Sequence, residues 1–85
     1  MSYRIIIEQR ILKEIKAIPK PDALRISKAI NNLANNPRPH GSLKLEGEDD
    51  LYRIRIGRYR VIYTIRDQAL IVIIIKIGHR NGAYR

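Results

Sequence analysis

The sequence predicts an α+β domain: an antiparallel sheet with an N-terminal helical hairpin packed on one face, in the order β-α-α-β-β-β(-β). Three observations predict it. Apolar residues recur at helical spacing before Pro39 and at a spacing of two after it. Pro19 and Pro21 divide the helical part in two, and Gly57 and Asp67 punctuate the alternating part. The 85 residues suffice for one domain, residues 1–85, with a modest core supplied mostly by seventeen isoleucines. At 45% hydrophobic, the chain lies outside the compositions of disordered tails.

Residues 3–7 are a short β-branched run and predict a strand. From Glu8 the period changes, and Ile7, Ile11, Ile15 and Ile18, with Leu12, form a helical stripe. Pro19 and Pro21 end that helix and open the next, Pro21 suiting its first turn. Ala23, Ile26, Ile30, Leu33 and Ala34 mark the buried face of the second helix. Asn35, Asn36, Pro37 and Pro39 stop it, because proline and the residue before it resist helix. Leu43 and Leu45 open a short strand, followed by an acidic turn over residues 46–50. Residues 51–56 and 58–66 alternate on either side of Gly57 and predict a hairpin. Residues 70–77, apolar on both faces, predict the central strand, with Gly78 ending it and residues 79–85 as a tail.

Charge points to the partner. Seventeen basic against eight acidic side chains leave +9, and residues 51–85 carry +7 of it, with Asp67 their only acid. Such asymmetry predicts a polyanionic partner, nucleic acid first. Seven of those eight C-terminal cations are arginines, which suits two-pronged phosphate recognition. Strand parity gathers them. Tyr52, Ile54 and Ile56 share one face with Tyr59, Val61, Tyr63 and Ile65, while Arg53 and Arg55 share the other with Arg58, Arg60, Ile62, Thr64 and Arg66. The helices need the apolar face, so the opposite face is an arginine platform that His79, Arg80 and Tyr84 are expected to border.

Other chemistries are excluded or unsupported. No cysteine means no disulfide, thiolate metal site or cysteine nucleophile, in keeping with a reducing cytoplasm. His40 and His79 stand 39 positions apart without an acid at ligand spacing, so neither metal nor cofactor is expected. No glycine-rich phosphate loop or serine nucleophile context occurs. The longest apolar run, residues 69–75, is far short of the roughly 20 residues that span a bilayer, and residues 5–7 are too few for a secretory signal. No membrane partner is expected.

Across nearly the whole chain the sequence resembles the RelE toxins of the RelE/ParE toxin–antitoxin superfamily. The resemblance is carried by Lys44-Leu45-Glu46-Gly47, Leu51-Tyr52-Arg53-Ile54-Arg55, Tyr59-Arg60-Val61-Ile62-Tyr63, Gly78-His79-Arg80 and Tyr84-Arg85. It implies a RelE-like, microbial-ribonuclease-type fold that cuts messenger RNA in the ribosomal A site and a RelB-like antitoxin that wraps the toxin. The implied reaction is attack of a ribose 2′-hydroxyl on the adjacent phosphate, leaving a 2′,3′-cyclic phosphate without a metal. The resemblance places catalytic roles on Arg60, Arg80 and Tyr84 and RNA-phosphate contacts on Arg53 and Arg55, with Lys44 and Arg58 in the same binding group.

One departure matters for proton transfer. Better-known relatives carry lysine at the Arg53 and Arg55 positions, and arginine does not give up its proton near neutrality. His79, of the residue type that titrates there, is the expected replacement as acid or base. A further C-terminal helix, found in some relatives, is not expected after Arg85. Two other readings stand beside this one: a ParE-like toxin inhibiting DNA gyrase, and a nucleic-acid-binding module without chemistry.

Overall fold

A computed structural model describes residues 2–47 and 50–79. The isoleucine stripes become two helices, α1 (Gln9–Lys16) and α2 (Lys20–Asn32). Lys13 and Lys16 close α1 against the negative end of its dipole, and Pro21 occupies the first turn of α2. The strands are β1 (Arg4–Ile7), β2 (Leu43–Lys44), β3 (Leu51–Ile56), β4 (Tyr59–Arg66) and β5 (Ile71–His79), arranged β1-β5-β4-β3-β2. Both helices lie on one face. Ile11, Ile15, Ile26, Ile30 and Leu33 meet Ile54, Tyr59, Val61, Tyr63, Ile65, Val72, Ile74 and Ile77 in one core. Burying each such isoleucine contributes about 1.5–3 kcal/mol before the entropy of ordering is offset.

The α+β architecture matches the sequence expectation, except that β4 rather than β5 is the central strand of the five, and two further differences stand out. The sheet is mixed rather than wholly antiparallel, because β1 runs parallel to β5 with Arg4 beside Ile71 and Ile7 beside Ile74. The strands from β2 onward are joined by turns and must alternate in direction. β1 is separated from them by the helical pair, so no turn dictates its direction, and it fills the free edge of β5.

The second difference is that Gly78 does not end the last strand. It continues the ladder opposite Arg60, and His79 follows opposite Tyr59. A glycine weakens a strand but keeps its backbone donor and acceptor, so the ladder passes through it.

Candidate nucleic-acid interface

The hairpin β3–β4 builds the platform. Its loop is the two residues 57–58, with Gly57 at φ 60° in the first position and Arg58 outside the positive-φ residues, the pattern of a type II′ turn. That turn sets the register: Ile56 opposite Tyr59, Arg55 opposite Arg60, Ile54 opposite Val61 and Arg53 opposite Ile62. Opposed residues share a face, so Arg53, Arg55 and Arg60 stand together on the side away from the helices. Arg55 is exposed, and Arg53 and Arg60 are half-buried. Ile62 and Thr64 lie buried on that face between β3 and β5.

Opposing Arg55 with Arg60 places like charges directly across a strand pair, which costs stability unless an anion joins them. No acid in the described strands shares their face. Four of the acids are engaged elsewhere: Asp22 with Arg25, Glu8 and Glu14 with Arg10, and Asp67 with Arg38. Arg53 and Arg55 make no ion pair among the described residues. A surface of this kind fits consecutive phosphates.

Not every expected residue joins it. Lys44 pairs with Tyr52 and so belongs to the helix-side face. Arg58 is exposed in the turn, one residue before β4 begins. Arg80 and Tyr84 lie outside the described residues.

His79 is the main correction. It does not border the platform from beyond the sheet; it is the last residue of β5 and shares the face of Tyr59, its ring edge-on to that tyrosine with centroids 4.8 Å apart. The cause is a β-bulge. Tyr63 pairs with Ile74 but Ile62 pairs with Lys76, so Ile75 has no opposite residue in β4. The extra residue reverses the alternation of β5, turning Ile77 and His79 toward the helices and Lys76 toward the arginines. The unbroken apolar run over residues 69–75 concealed this, and Lys76 was missed for the same reason. His79 instead borders a cavity of about 380 Å³ with Arg10, Glu14 and Tyr59, which Lys76 also touches from the sheet edge.

A second polar cluster is structural. Arg38 grips Asp67 with both terminal nitrogens, donates to the Tyr52 hydroxyl at 3.2 Å, and lies 5.2 Å from the centre of that ring. The guanidinium, and then the Tyr3 hydroxyl donating at 2.7 Å, hold the Asp67 carboxyl down at about 2. Tyr63 donates to the Pro37 carbonyl at 2.7 Å, and its burial pushes the phenol up to about 12. These contacts tie the segment after α2 to the sheet. Among the described residues no group of three metal-ligating side chains occurs.

Comparison with known proteins places the fold. Residues 5–84 match the family model of the ParE toxin of the type II toxin–antitoxin system parDE. The chain belongs to the RelE/ParE toxin family. The RelE1 protein of Methanocaldococcus jannaschii is 36% identical over the whole of this chain and 98% of its own. The mRNA interferase toxin RelE of Escherichia coli K12 is 28% identical over 95% of this chain and 86% of its own. The archaeal RelE of the RelE–RelB complex from Pyrococcus horikoshii OT3 superposes with a TM-score of 0.84 at 33% identity, covering 96% of this chain and 99% of that one. The family resemblance read from the hairpin and the C-terminal motifs is thereby shown, and the mixed sheet is that of a RelE/ParE toxin.

Proposed function

We propose that this chain is the toxin of a type II toxin–antitoxin pair, an endoribonuclease that cleaves messenger RNA in the ribosomal A site and so inhibits translation. The observation that carries the reading is the opposed pair Arg55 and Arg60 beside Arg53, on a described sheet face without an acid. A relative named mRNA interferase supports the reaction class, and a RelE solved with RelB supports an antitoxin partner. A cytoplasmic site of action fits a ribosomal target.

In the proposed reaction the 2′-oxygen attacks the adjacent phosphorus and the bond from phosphorus to the 5′-oxygen breaks. The 2′-hydroxyl gives up one proton and the departing 5′-oxygen takes one, leaving a 2′,3′-cyclic phosphate and a 5′-hydroxyl. Negative charge grows on the phosphoryl oxygens, and the fixed guanidinium of Arg60 stabilises it where it develops, with no metal required. Arg53 and Arg55 hold flanking phosphates. Arg80 and Tyr84, beyond the described residues, keep the roles implied by the family, beside the leaving oxygen and against a base. His79 stands across the sheet from Arg60, which argues against its acting directly on a phosphate held there.

The family model matched is named for ParE, which favours gyrase inhibition as a second reading. One experiment separates them. Reporter messenger RNA is incubated with the purified protein, with and without translating ribosomes, and DNA gyrase supercoiling is assayed in parallel. Ribosome-dependent cleavage with unaffected supercoiling is expected; blocked supercoiling without cleavage would establish the ParE-like activity instead.

A further inference from the structure

We propose that Lys76 is a fourth RNA-phosphate contact on the arginine face, delivered there by the β-bulge at Ile75; this rests on the arginine face being the RNA site. Val72 and Ile74 are core residues, so unbroken alternation would send Lys76 into the core beside them and expel Ile77. An ammonium buried against isoleucines would be costly. The bulge instead leaves Ile75 unpaired and 38% exposed, keeps Ile77 in the core, and brings Lys76 opposite Ile62.

Ile62 is flanked across the sheet by Arg53 on β3 and by Lys76 on β5. In the next row Arg60 is flanked by Arg55 and Gly78. Lys76 is therefore diagonal to Arg60 and completes a cationic border around Ile62 and the Gly78 backbone. Its position is open at the edge: β1 covers β5 only as far as Ile74, and Lys76 is exposed. Bulges commonly re-aim a side chain beside a functional site. A lysine at a sheet edge also guards against edge-to-edge pairing, but that role requires no anion.

The probe is a fluorescent single-stranded RNA with 2′-O-methyl riboses, which cannot undergo the proposed cleavage. Its affinity for wild type, Lys76→Met, Lys76→Arg and Arg60→Ala is measured by anisotropy across salt, with thermal melting of each protein as a control for folding. Losing one phosphate contact lowers the slope of log affinity against log salt by about 0.7 for single strands. Wild type should accordingly lose about threefold more affinity than Lys76→Met over a fourfold rise in salt. Lys76→Arg, which keeps the charge, should restore the slope. A Lys76→Met protein with wild-type affinity and slope would overturn the assignment, provided that Arg60→Ala is weakened. If Arg60→Ala also binds as wild type, the arginine face is not the RNA site and both readings fail.

Discussion

Arg38 and Asp67, 29 residues apart in sequence, meet in a two-pronged ion pair with contacts of 2.9 and 3.2 Å. It joins the exit of α2 to the turn between β4 and β5, and Tyr3 adds the start of β1 through the same carboxylate. Asp67 is held at about 2, below its ordinary 3.8. A carboxyl with a lowered folded-state value contributes stability that is present above about pH 4 and is lost as the pH falls toward 2. Both groups are substantially exposed, so solvent screening keeps this contribution small. Asp67→Asn should flatten the acid limb of stability between pH 4 and 2, measured as the urea midpoint by circular dichroism. An unaltered limb would show that other carboxylates carry it.

Tyr63 supplies the complementary test at high pH. Its phenol is pushed to about 12, above an ordinary 10.0, so folding favours the protonated form. The associated stability is present below about pH 10 and declines toward pH 12. Tyr63→Phe removes that alkaline limb and also the bond to the Pro37 carbonyl, costing about 1 kcal/mol at neutral pH. Denaturant titrations of both proteins at neutral pH and at pH 11 measure the two effects.

Arg60→Ala is expected to slow cleavage by about 10²–10³, equivalent to about 2.7–4 kcal/mol of lost transition-state stabilisation. Its thermal stability should stay close to that of wild type, because Arg60 stands on the sheet face away from the helices and outside the apolar core. Single-turnover cleavage on programmed ribosomes gives the rate, and calorimetry gives the stability. Cleavage at the wild-type rate would remove Arg60 from the mechanism.

An inhibitor of this surface must neutralise it. A RelB-like antitoxin should lay acidic residues across Arg53, Arg55 and Arg60, binding 1:1 and blocking cleavage. The double substitution Arg53→Glu, Arg55→Glu should weaken that binding by about tenfold or more, read by titration calorimetry at fixed salt. Equal affinity for both proteins would mean that the antitoxin blocks cleavage from another surface.

The hairpin shows how far the sequence alone reaches. Parity over β3 and β4, anchored by a glycine turn, is a local property, and it sets Arg53, Arg55 and Arg60 on one face from the sequence alone. Arg38 was legible only as part of a proline-rich helix exit, since its partner is remote in sequence. Lys44 was assigned to the site by motif, and His79 by its titratable side chain and its place after Gly78, and neither ground says which face a side chain takes.

The amino-acid sequence by itself determined two helices, a strand-rich C-terminal half, a +7 segment and an arginine platform, because these follow from near-neighbour periodicity and charge. Tertiary structure decided the parallel docking of β1 on β5 and the bulge at Ile75. In residues 71–75 every side chain is apolar, so the sequence holds no polar alternation to reveal where the count slips by one. Only packing both ends of β5 against the same helices makes that choice. Val72 and Ile74 must be buried at one end and Ile77 at the other, so one residue between them has to be left unpaired, and Lys76 turns outward as a result.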